Sequence, residues 1–154
     1  IDTPSMVFGD QEFTVKRTPF ISRLMTDTGE RNTNAYVMEE YNWLTRDIFP
    51  EMERREKEYE KARKDGKDVD KAVEKFHNSP EWKIYDEIKG DLKSSGQNAI
   101  VPAAIADRQK DLKSGKMYGK VMSEYETQAL KNEISLLHEQ WVEKMVNRYN
   151  ELNK

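Results

Sequence analysis

The chain has 154 residues, 36% of them apolar and 36% charged, where about a quarter charged is usual. That balance suits long helices with one apolar stripe and a wide solvated face, and it argues against a thick globular core with a deep pocket. A net charge of −3 with both signs intermixed makes no general basic field for nucleic acid, and the lack of Cys removes disulfides and thiolate metal sites.

Aromatic residues make up 10%, including Trp43, Trp82 and Trp141, which argues against disorder. No apolar run approaches the roughly 20 residues needed to span a bilayer. The chain opens on Ile1, and a fragment of a longer polypeptide is the expectation. Residues 1–18 carry Pro4 and Gly9 without a sustained helical period, which reads as an extended arm with Phe8, Phe13 and Val15 laid along a neighbouring surface. The remainder, 19–154, reads as one helical bundle domain. Thr18 and Pro19 open a short helix through Met25, and TDTGERNT is a turn.

The first long helix begins near Asn34. Val37, Tyr41, Leu44, Ile48, Met52, Tyr59 and Ala62 recur at steps of three, four or seven and share one face. Pro50 removes a hydrogen bond and should kink or divide this helix. The charged half after it is expected to project into solvent until Gly66 stops it as a left-handed cap. A short helix over Asp68–Phe76 follows, then a new start at Ser79-Pro80 with Trp82, Tyr85, Ile88 and Leu92 inward and Gly96 as the stop. Another helix is expected from Asn98 to Ser114, with Val101, Ile105 and Leu112 inward and Gly115 ending it.

The last helix has the clearest signature. Ser123 and Glu126 form a capping box, and Leu130, Ile134, Leu137, Trp141, Met145 and Tyr149 recur at steps of four and three. Hairpin-bounded alternation is missing, so no strands are expected. The fold class is therefore all-α: an elongated helical bundle with two long amphipathic helices, the first kinked or divided near Pro50.

Chemistry finds little to stand on. His77 and His138 lack a second histidine at ligand spacing, so both read as solvated or packing residues and no metal is expected. Glu39-Glu40, Glu56 with Glu60, Asp86-Glu87 and Glu124 with Glu126 lie mostly opposite the apolar stripes, where carboxylates support helices and solubility. No Glu precedes either histidine by three residues, so the di-iron bundle pattern is absent. No phosphate-binding glycine loop occurs, and neither catalytic residues nor a cofactor are expected. Trp43, off the line of its helix, is the candidate for a partner contact. The segment KSGKMYGK is the one ligand-like stretch: Lys113, Lys116 and Lys120 surround Tyr118 between glycines, a candidate contact loop for phosphate or lipid headgroups.

Three stretches together carry a resemblance. Phe20-Ile21-Ser22-Arg23-Leu24, Gly29-Glu30-Arg31-Asn32-Thr33 and Val37-Met38-Glu39-Glu40-Tyr41 open it. Lys64-Asp65-Gly66-Lys67, Ala72, Phe76, Ser79-Pro80-Glu81 and Tyr85 continue it, and the run Tyr125 to Ile134 closes it. The pattern resembles a helical domain associated with the large polyvalent proteins of bacteriophages and conjugative elements. The resemblance implies a non-catalytic structural or interaction module of a very large protein delivered with the DNA. Its partners would be other domains of that protein or phage proteins, in the virion or the bacterial host cytoplasm. A phage virion component, ejected or carried as cargo, is the first alternative. A weak nucleic-acid-binding module using Lys110, Lys113, Lys116 and Lys120 is the second.

Overall fold

The structure, a computed structural model, describes residues 33–153. The arm over 1–18, the short helix ending at Met25 and the turn after it lie outside the described residues. Helix α1 (Thr33–Asn42) runs into a π-helical segment (Trp43–Ile48) and on into α2 (Phe49–Lys64). The interruption expected near Pro50 is present, and it falls in the turn before the proline. Pro50 has no N–H, and its ring crowds the carbonyl four residues back. The backbone responds by widening: the Phe49 N–H donates to the Leu44 carbonyl, five residues earlier. The buried Thr45 hydroxyl donates to the Tyr41 carbonyl at 2.8 Å, a side-chain intrusion that bends helices.

The wider turn changes which residues are buried. With bonds running five residues, Trp43 comes over Ile48 and Leu44 over Phe49. All four are buried. Trp43 is only 7% exposed, so it belongs to the core and is not the partner contact that simple helical spacing suggested. The charged stretch after Pro50 also departs from expectation. Rather than projecting, α2 buries Met52, Arg55, Tyr59 and Ala62 at steps of three and four. Most of its other charges lie off that face, where Arg54 binds Glu51 (2.7 Å) and Glu58.

Gly66, at φ 84°, ends α2 as expected. The Lys67 N–H reaches the Ala62 carbonyl and the Gly66 N–H reaches that of Arg63, both at 3.0 Å, which is the Schellman pattern. Helix α3 (Asp70–His77) and helix α4 (Pro80–Ile88) follow. Ser79 caps α4 by accepting the Trp82 N–H at 3.2 Å.

After α4 the chain differs from the expected helices. A 3-10 turn (Lys89–Asp91) leads to strand β1 (Leu92–Ser94), which pairs antiparallel with β2 (Ile100–Pro102). Leu92 and Val101 are thus strand residues. Proline disfavours helical backbone in the residue before it, so Pro102 keeps Val101 extended, and α5 (Ala103–Ser114) starts only after it. A second hairpin, β3 (Lys116–Met117) with β4 (Lys120–Val121), precedes α6 (Glu124–Leu152). The two hairpins are small, and the fold remains mostly α.

Helix α6 has 29 residues, about 43 Å at 1.5 Å each, and packs against α1, α4 and α5. Both halves of its capping box form: Glu126 N–H to Ser123 Oγ at 3.1 Å and Ser123 N–H to Glu126 Oε1 at 2.8 Å. Its buried line is Leu130, Ile134, His138, Val142, Met145 and Val146, while Leu137, Trp141 and Tyr149 flank it half-buried. The expected stripe included Leu137, Trp141 and Tyr149 and missed His138, Val142 and Val146.

Candidate functional site

The segment expected to be an irregular contact loop is an ordered hairpin. Gly115 ends α5 in the left-handed region at φ 75°, its N–H bonded to the Asp111 carbonyl at 3.0 Å. Ser114 Oγ accepts the Lys116 N–H at 3.2 Å, and the Met122 N–H closes the base onto the Gly115 carbonyl at 2.9 Å. The strands pair Lys116 with Val121 and Met117 with Lys120, leaving Tyr118 and Gly119 as a two-residue loop. Both loop residues have positive φ, 53° and 80°, as a type I′ turn requires.

A tyrosine in left-handed backbone is unusual, and here it points outward. Tyr118 is 90% exposed, Val121 75% and Tyr125, in the first turn of α6, 82%. With Met117 and Met122 they border an open cleft of 460 Å³ whose floor includes Leu130. Of the expected contact residues, the structure brings Lys116, Tyr118 and Lys120 onto one hairpin and places Lys113 in the last turn of α5. All four are exposed, and the three lysines make no ion pair among the described residues. Val121 and Tyr125 were not anticipated. The only sequence signal was a glycine-ended pair, Tyr118-Gly119, between two lysine–apolar steps.

Because the turn favours Asn-Gly, Tyr118→Asn is expected to leave the melting temperature unchanged or raise it by a few degrees, about 0.5–1 kcal/mol. Tyr118→Val, β-branched in left-handed backbone, is expected to lower it. Thermal unfolding of the two variants checks this.

Other polar clusters are structural. The fold brings His77 to Glu56, with Nε2 2.8 Å from Oε1, and stacks its ring on Trp82 at 4.6 Å. Among the described residues no group of three possible ligands forms, so this pair has no third donor for a metal. Glu40 departs from the expected solvated face and is wholly buried, and Glu81 is buried too, at 8% exposure. Burial pushes the Glu81 carboxyl above its ordinary value, and the Tyr149 hydroxyl lies 3.5 Å from it. Glu87, by contrast, is held low by the Arg148 guanidinium, which reaches it from α6 with Nε at 2.9 Å.

No family model, curated protein or solved structure matches this chain.

His138 is a buried packing residue. It is 5% exposed and meets Tyr41 edge-on at 4.4 Å between α6 and α1. Burial lowers its pKa below 6.5, opposed by its bond to the Ile134 carbonyl. Burial also pushes the Tyr41 hydroxyl up to about 12. A histidine with a depressed folded pKa binds fewer protons folded than unfolded, so its stabilising contribution is complete above the unfolded value and is lost as pH falls below it. Melting temperature is therefore expected to drop between neutral pH and pH ~5 more steeply in the native protein than in His138→Phe. Equal slopes would place His138 in solvent.

Proposed function

We propose that this chain is a non-catalytic structural and interaction module of a very large phage or mobile-element protein that travels with the DNA. It sits among the other domains of that polypeptide, and its hairpin is the outward contact element. The observation that supports this most is the hairpin's exposed surface. A segment needed only to join α5 to α6 could be polar throughout. This one is fastened at its base and presents Tyr118 and Val121 to solvent, next to Tyr125 of α6 and beside three lysines that make no ion pair among the described residues. Contiguous exposed apolar groups rimmed by polar ones mark contact surfaces. The likeness of residues 20–150 to the polyvalent-protein domain supplies the biological setting.

The test is transfer of the parent element into a recipient cell. Lys116→Gln, Tyr118→Asn and Val121→Ser together are expected to lower transfer about tenfold or more, the equivalent of roughly 1.4 kcal/mol of lost contact. The isolated domain should keep its melting temperature. Unchanged transfer would overturn the reading.

A further inference from the structure

We infer that the β3–β4 hairpin docks on an anionic lipid surface. The inference rests on the hairpin being the contact element and names what it contacts. Lys113 to Met122 is a run of ten residues with three lysines and no carboxylate. Of the carboxylates lining the cleft beside it, Glu126 holds the cap of α6 and Glu133 binds Arg108 at 2.9 Å. The strand register places a lysine directly across from an apolar residue in each pair, Lys116 with Val121 and Lys120 with Met117. Directly paired residues share a face, so each face of the hairpin offers one ammonium group and one aliphatic side chain.

That arrangement matches a bilayer interface in both halves. Lysine stems lie along apolar neighbours while their heads reach lipid phosphates, and an aromatic ring such as Tyr118 settles at the headgroup level. A nucleic acid would use the lysines and the tyrosine rings but offers nothing to Val121 or Met117. Three lysines also neutralise too few phosphates to hold DNA at physiological salt. Among the described residues no helix is long and apolar enough to cross a membrane.

The experiment is co-sedimentation of the 154-residue protein with phosphatidylcholine vesicles, with and without phosphatidylserine. Binding is expected only with phosphatidylserine, weakening as salt rises. Changing Lys113, Lys116 and Lys120 to Gln should reduce it about a hundredfold, since each lysine near an anionic surface is worth roughly a factor of five. Tyr118→Asn with Val121→Ser should reduce it independently. These positions are exposed, so unchanged melting temperatures show that the variants fold. No binding, equal binding to pure phosphatidylcholine, or binding indifferent to both sets overturns the inference. So does salt-sensitive micromolar binding to duplex or single-stranded DNA that requires the same lysines. Failure with vesicles while the hairpin variant still lowers transfer would refute the lipid surface and leave the interaction module standing.

Discussion

Phe49→Ala is expected to destabilise the fold by about 3–5 kcal/mol, the range for truncating a fully buried aromatic. Phe49 has no exposed surface and opens α2. Its ring meets Tyr85 of α4 at 5.7 Å and Trp141 of α6 at 6.0 Å, edge-on in the second case. It therefore joins three helices, and alanine would leave a cavity bordered by two large rings that cannot close over it without moving their helices. Its backbone also completes the π segment through the bond to Leu44, so the side chain and the widened turn hold each other in place. Urea unfolding of the variant checks this. A loss below about 2 kcal/mol would mean that the three helices do not meet at this ring.

Trp43→Ala is expected to cost about 3–5 kcal/mol and more than Trp141→Ala. Helical spacing alone gives the reverse order, because Trp141 lies on the apolar stripe of its helix and Trp43 does not. The π segment inverts it. By wrapping its bonds over five residues, it carries Trp43 into the core at 7% exposure, while Trp141 stays half-buried against Tyr41 and Phe49. Comparing the denaturant midpoints of the two variants is a direct test of that register. Equal losses, or a larger loss at Trp141, would contradict the π segment.

The features legible in the sequence are those whose cause is local. Ser79 before Pro80, Ser123 with Glu126, Gly66 and Gly115 each act within one helical turn, and each caps or stops where expected. The buried face of the first long helix was also readable, since Val37, Tyr41, Leu44, Ile48, Met52, Tyr59 and Ala62 are all core residues. What stayed hidden depends on competition or distance. The π segment results from Pro50 and the Thr45 hydroxyl acting together on a backbone that periodicity treats as uniform. Strands of two or three residues are too short to show alternation, and Val101 with Ile105 imitates a helical step. The pairs His77–Glu56, Arg108–Glu133 and Arg148–Glu87 join elements far apart in the chain. The candidate site was half legible. Its lysines and Tyr118 stood out by composition, but the exposure of Val121 and Tyr125 follows from the hairpin, which composition does not encode.

The most direct measurement of the central claim is hydrogen–deuterium exchange of this domain, alone and within an assembled particle of the phage or mobile element to which the proposal assigns it. If the hairpin is the contact element, exchange at residues 116–122 slows in the assembly while the interior of α6 exchanges as it does in the isolated domain. Unchanged exchange at the hairpin, with protection appearing elsewhere on the bundle, would contradict the account.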